Sequence, residues 1–259
     1  MIVFAIILIM SIGIIDFNPD QTPDRSQYVK RISSLFPEGT EYKGIFFKDI
    51  DELNQYDALI LSGSRFFATQ YQRAVNSGEE LSGDFADINE AVKKITDYRG
   101  PIFGICFGAQ ILAHIHGAEL GSLPVTEAGY LTHQLTETGA SDPVFRELNQ
   151  TFLGSQLHTD FVKTLPKNTD EKADVIATRN GYIHAFRIVE PSGVTHYGTQ
   201  PHPEMSNHND ATFLVRVNKV WLEDEIGTEA YKRALKIPDG ATFQLGSAIS
   251  RFIQALKAK

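Results

Sequence analysis

The stretch "PIFGICFGAQIL" (residues 101–112) passes from a short apolar run into a helix-like one, and Cys106, the chain's single cysteine, stands at the junction. An apolar run this short reads as a strand buried on both faces. Its continuation "FGAQILAHIHG" (107–117) reads as a helix that Gly117 closes. A nucleophile on a sharp strand-to-helix turn needs small neighbours, and Gly104 and Gly108 supply them in the pattern G-x-C-x-G. The start of a helix presents N–H groups and the positive end of its dipole, which favour the anionic, reactive form of a thiol. The N–H of Phe107, next after the cysteine, is the donor that such a turn offers to an oxyanion. The competing reading is a cysteine packed as a small hydrophobe between close-approaching glycines.

Upstream, short β-rich runs alternate with helical patterns. Residues 12–17 form the first run, and "DRSQYVKRISSLF" (24–36) repeats Tyr28, Val29, Ile32, Leu35 and Phe36 at helical spacing. "YKGIFF" (42–47) and "DALILSGS" (57–64) read as strands, and "FADINEAVKKITDY" (85–98) as a helix striped by Ile88, Val92 and Ile95. This order predicts an α/β fold with a mostly parallel central sheet flanked by helices on both faces. Downstream, strands dominate: "YLTHQLTET" (130–138), "TFLGSQL" (151–157), "ADVIATR" (173–179), "GYIHAFRIV" (181–189) and "VTHYGTQ" (194–200). Helical patterns return after Pro203, in "ATFLVRVNKVWLEDEI" (211–226) and "GSAISRFIQALKAK" (246–259). The expected organisation is an apolar extension over 1–9, one α/β domain over 10–205, and a helical extension over 206–259 packed on that domain.

A length of 259 residues suits one large domain with a sizeable core. The formal charge of −8 argues against nucleic acid or an anionic membrane as the default partner. One cysteine cannot form an internal disulfide, so a cytoplasmic setting is expected. The apolar run over residues 1–15 is shorter than the ~20 residues a spanning helix needs. It also lacks the basic start and the cleavage site of a signal peptide, so no membrane anchor is expected.

A cysteine nucleophile needs a base and a group to orient that base. Of eight histidines, His114 and His116 read as ordinary residues of the helix after the cysteine, without the spacing or companions of a zinc site. His133, His184, His196 and His208 have no acidic residue patterned beside them, and structural roles are expected. His202 differs. In "YGTQPHPEM" (197–205), Pro203 restrains the residue before it to extended geometry, so His202 and Glu204 project to one side. A carboxylate there can hold one imidazole nitrogen and leave the other for the thiol.

Together, "GICFGAQ" and "GTQPHPE" resemble the class I glutamine amidotransferases, the triad-type glutaminases, which implies their flavodoxin-like fold. The resemblance implies Cys106 as nucleophile, His202 as base and Glu204 as orienter. It also implies Gly63, in "LILSGS", as the second oxyanion donor, and Gln110 as a glutamine-contacting residue. "LHTDFV" (157–162) resembles a His-x-Asp-x-Val segment of the GMP synthetase-like branch, placing His158 and Asp160 at the substrate wall. "TEAGY" (126–130) is similar to a Glu-x-Gly turn of the family.

Three departures stand out. Arg65 occupies a position where the family usually has proline, Gln-Pro-His replaces Gln-Phe-His, and the polar segment 68–87 reads as a long loop, a lid, a partner contact or an inert surface. The resemblance implies hydrolysis of the γ-amide of glutamine, or of a γ-glutamyl compound, through a glutamyl thioester, with no metal or organic cofactor. No P-loop pattern for ATP accompanies it. The leading expectation is a stand-alone hydrolase like the γ-glutamyl peptidases. A glutaminase subunit delivering ammonia to a separate synthetase is the second, and a non-catalytic binding module on the same fold the third.

Overall fold

Ile12, Ile14, Ala58, Ile60, Phe103 and Ile105 turn to one side of a sheet, and Ile15, Leu59, Leu61 and Ile102 to the other. Strands that bury both faces need helices above and below, and the computed structural model supplies them. It describes residues 10–19, 26–167 and 170–257; the apolar extension expected over 1–9 lies outside them. Among the described residues the elements run β1 (Met10–Asp16), α1 (Gln27–Ser33), β2 (Thr40–Phe46), β3 (Ala58–Leu61), α2 (Ala68–Ser77) and α3 (Asp84–Thr96). Next come β4 (Ile102–Ile105), α4 (Phe107–Ile115), β5 (Glu119–Leu135), α5 (Glu137–Ser141), β6 (Thr151–Thr164), β7 (Lys172–Arg179), β8 (Tyr182–Val189) and β9 (Thr195–Thr199). Four helices follow: α6 (Phe213–Val217), α7 (Lys219–Ile226), α8 (Thr228–Ala234) and α9 (Ser247–Lys257).

One sheet has the order β2-β1-β3-β4-β9-β8-β7-β5-β6. It is mixed. Pairing is parallel from β2 to β9 and antiparallel from β9 to β6. The division follows composition: β3 and β4 are buried at every position, whereas β5 alternates buried with open positions as a half-solvated strand does. Ile88, Val92 and Ile95 of α3 and Ile111 and Leu112 of α4 cover one face. Val29 and Ile32 of α1 and Ile249, Phe252 and Ile253 of α9 cover the other. Helices α6 to α8 gather Val215, Leu222, Tyr231 and Ala234 against Ala128 and Leu157 of β5 and β6.

The fold corrects three local expectations. The segment 68–87 is not a loop: α2 fills residues 68–77, and only 78–83 lie between it and α3. Ala68, Tyr71 and Val75 recur at helical spacing within an otherwise polar segment and join the core, and Gly78, at φ +72°, ends the helix. "TEAGY" lies within β5 rather than in a turn, after a register shift between Ser122 and Glu127. There Gly129, at φ +120°, lets the backbone of α8 approach, since a Cβ would sit 3.1 Å from Ala234 Cα. The helix expected over 211–226 divides at Asn218, whose amide donates to the Leu214 carbonyl at 2.8 Å. Among the described residues no helix is long and apolar enough to cross a membrane.

Candidate active site

Cys106 joins β4 to α4 at φ +50°, ψ −109°, a conformation that costs a non-glycine residue energy and persists only where its surroundings hold it. The restraints are visible. The Cys106 N–H donates to the Thr199 carbonyl at 2.7 Å, and the Gly108 N–H donates to the Ser62 carbonyl at 3.1 Å. The glycines are forced by close approach: a Cβ on Gly104 would lie 2.6 Å from Ala109 Cα, and one on Gly108 would collide with the Leu61 carbonyl. Phe107 opens α4, so its N–H has no partner inside the helix. Among the described residues, neither that N–H nor the Gly63 N–H has a hydrogen-bond acceptor.

His202 follows β9 and is pinned to β6, its N–H donating to the Ser155 carbonyl at 2.8 Å. Its Nδ1–H donates to Glu204 Oε1 at 2.7 Å, and Cys106, His202 and Glu204 are all buried. Burial lowers the imidazole's pKa, but the charges of Glu204 and Cys106, with hydrogen bonds to both, outweigh it and raise it to about 10. Gly63 lies against this pair. A Cβ there would be 2.7 Å from His202 Cε1 and 3.6 Å from Cys106 Cβ, so a side chain would displace the imidazole.

Gln200, which sequence reasoning did not single out, donates from Nε2 to Cys106 Sγ at 3.4 Å. Gln110 Nε2 donates to Gln200 Oε1 at 3.0 Å and to the Asp160 carbonyl at 2.7 Å, leaving Oε1 as the atom with which it can meet a ligand. The sequence offers no signal for Gln200, which lies with Pro201 in a bend between β9 and His202. The Asp160 carboxylate is engaged elsewhere. It accepts from the Thr69 N–H and hydroxyl, both at 2.9 Å, and from the Ser122 hydroxyl at 2.7 Å, which ties α2 to β5 and β6. His158 Nδ1 lies 2.9 Å from the Asp160 carbonyl.

Cys106, His202, Gln110, His158 and Asp160 line a cavity of about 580 Å³. Arg65 and Phe67 border it on one side, Val217 and Trp221 on the other. Tyr28, read from sequence only as part of a helix stripe, also faces it. Burial, with the charges of Glu204, Cys106 and Asp16, pushes its phenol pKa far up, so it stays a neutral donor.

His116, His158, His184 and His196 meet carboxylates in the fold. Glu127 lies 3.8 Å from His184 Nε2 and 3.4 Å from His158 Nε2. Glu190 lies 3.0 Å from His196 Nε2, and Glu171 lies 3.0 Å from His116 Nδ1. These carboxylates come from other elements, so no local pattern announces them. Among the described residues, two groups could hold a cation, His116–Glu190–His196 and Glu127–His158–His184. In the second, Arg179 Nε already donates to Glu127 at 3.1 Å. Burial raises the Glu127 pKa, but His158 and then Arg179 outweigh it and bring it to about 2. That group is a buried polar network already carrying its own cation.

The family model for glutamine amidotransferase class-I matches residues 46–219. The chain is 29% identical over 218 residues to GMP synthase [glutamine-hydrolyzing] of Flavobacterium psychrophilum (strain ATCC 49511), a match covering 80% of this chain and 36% of that protein. It is 27% identical over 177 residues to gamma-glutamyl-L-1-hydroxyisopropylamide hydrolase of Pseudomonas sp, covering 66% of this chain and 55% of that one. The matched stretch thus spans about a third of the synthase and about half of the hydrolase. A glutamine amidotransferase structure from Thermotoga maritima superposes with a TM-score of 0.69 at 17% identity, covering 96% of this chain and 99% of that one. The family model covers most of the chain, both chemical motifs included, and the chain belongs to the class I glutamine amidotransferases.

Proposed function

We propose that the chain hydrolyses the γ-amide of glutamine or of a γ-glutamyl compound through a thioester on Cys106. The Cys106 thiolate attacks the amide carbon, and the carbonyl electrons move to oxygen, where the Gly63 and Phe107 N–H groups receive the developing charge. The His202 imidazolium, oriented by Glu204, protonates the departing nitrogen as the C–N bond breaks. A water molecule that gives its proton to His202 then attacks the thioester. Collapse breaks the C–S bond, regenerates the thiolate and releases glutamate.

The observation that carries this reading is the strained Cys106 beside a buried His202–Glu204 pair on the wall of one cavity. The name of the Pseudomonas relative, a γ-glutamyl amide hydrolase, supports the hydrolase reading. So does the rim: Phe67, Val217 and Trp221 expose large apolar surface and border the cavity, which suits an amide with an apolar amine half. The Flavobacterium synthase favours a second reading, a glutaminase unit supplying ammonia to a synthetase partner.

The test is glutamate release from glutamine and from γ-glutamyl isopropylamide, with Cys106→Ala as control. The expected outcome is turnover of the isopropylamide without any partner, abolished in the control. Trp221→Ala is expected to raise KM for that amide roughly tenfold, the scale of one lost apolar contact, and more than it does for glutamine. Turnover of glutamine alone, and only after a synthetase is added, would establish the second reading. Turnover surviving in Cys106→Ala would overturn both.

A further inference from the structure

The His116–His196 cluster lies at the end of the sheet away from Cys106. Cys106 and His202 follow the C-terminal ends of β4 and β9, whereas His196 is near the start of β9 and His116 caps the far end of α4. At 1.5 Å per residue, the ten steps from Cys106 along α4 to His116 separate them by about 15 Å. Glu190 follows β8 and Glu171 precedes β7, so four elements converge there.

The geometry is that of a ligand set. One donor atom each from His116, His196 and Glu190 lie within 4.8 Å of one another. The two imidazole centroids are 5.0 Å apart at 46°. Two imidazoles bound to one tetrahedral metal through Zn–N bonds of about 2.0–2.1 Å bring their ring centres to about that spacing. Glu171 accepts from His116 Nδ1, which fixes the tautomer and leaves the Nε2 lone pair to ligate, the arrangement by which carboxylates orient metal-bound histidines. His196 is 2% exposed, and its Nδ1 has no partner. Among the described residues no Lys or Arg pairs with Glu171 or Glu190, in contrast to Glu127 with Arg179. Two carboxylates, Glu171 and Glu190, face the two imidazoles there, the donor set a divalent cation would bridge. Glu190 keeps 31% of its side chain exposed, which gives an ion a way in.

We propose that His116, His196 and Glu190 bind a divalent transition metal of the zinc class, with Glu171 orienting His116. Nitrogen and carboxylate donors at this spacing suit zinc or cobalt rather than calcium or magnesium. The ion would join the end of α4 to the β8–β9 connection and the entrance to β7, as a structural tie remote from the amide chemistry.

The experiment is titration of chelator-treated full-length protein with Zn²⁺ by calorimetry, with thermal unfolding beside it, and with Co²⁺ by visible absorption. One equivalent should bind, Tm should rise, and Co²⁺ should show tetrahedral d–d bands without thiolate charge transfer. Cys106→Ser should change none of this. His196→Ala and the more exposed Glu190→Gln should each weaken binding at least tenfold, and Glu171→Gln by about 10–100-fold. Circular dichroism of Glu190→Gln confirms that it folds. Absence of binding to the wild type, binding unchanged in Glu190→Gln, or binding lost in Cys106→Ser would each overturn the proposal.

Discussion

Glu204 controls the protonation of the proposed site. Its carboxylate, 2.7 Å from His202 Nδ1, is the first of the influences that offset burial and lift the imidazole to about 10. A raised histidine pKa favours the folded state fully below the ordinary value near 6.5, and that contribution fades as pH rises through about 10. Glu204→Gln removes the charge and keeps the shape. In an NMR titration of labelled histidine, the His202 resonance is expected to move its midpoint down from about 10 by more than one unit. Hydrolysis should fall about a hundredfold or more, because the imidazolium needed for the leaving nitrogen is no longer held. A titration midpoint unchanged from wild type would remove Glu204 from this role. Cys106, His202 and Glu204 were legible as candidates, because each lies in a short motif marked by glycine or proline. Gln200 was not, because a glutamine that donates to a sulfur obeys no periodicity. Asp160 was legible as a position and not as a role, since its partners Thr69 and Ser122 lie far off in the chain.

At the level of elements, β3 and β4 at the centre of the parallel half were readable because they are unbroken apolar runs. Helix α2 was not, because only Ala68, Tyr71 and Val75 mark its buried side. The antiparallel half hides a further feature. Strands β5, β6 and β8 bring His133, His158 and His184 together around Glu127, with ring centroids 5.1 Å apart for His133–His184 and 5.5 Å for His158–His184. Burial drives His133 to about 3 and His184 to about 2, so both are neutral in the folded protein at neutral pH. As pH falls below about 6.5 the unfolded chain takes up protons that the folded one refuses, and stability declines until the folded values are reached. Each histidine contributes up to about 1.4 kcal/mol per pH unit to that slope. Glu127, lowered from 4.5 to about 2, adds its own loss only below about pH 4.5, so the window from 6.5 to 5 isolates the histidines. Urea unfolding of His133→Gln is expected to show a shallower decline of stability across that window than the wild type. An equal slope in both would mean that His133 is charged in the folded state.

Across the whole molecule, the two ends of the described chain meet on one face of the sheet. Ile249, Phe252 and Ile253 of α9 pack with Ile12 and Ile14 of β1 and with Phe103 of β4, and the Ser250 hydroxyl donates to the Leu35 carbonyl beyond α1. Phe252 is the centre of this contact, its ring 5.5 Å from Phe103 and 6.1 Å from Tyr197. The packing supports reading residues 206–259 as part of one folding unit with 10–205, and a single substitution tests that. Phe252→Ala removes a fully buried aromatic side chain and is expected to cost about 3–5 kcal/mol in urea unfolding. Trp221, the only tryptophan, sits on α7 away from α9, so its fluorescence reports on the cavity rim while far-UV circular dichroism reports on the whole sheet. In a single cooperative unit both signals shift to the same lower midpoint. If the circular dichroism midpoint falls while the Trp221 midpoint stays at its wild-type value, α6 to α8 unfold on their own. The apolar rim would then be a separately stable cap over the cavity rather than an integral part of the wall behind Cys106.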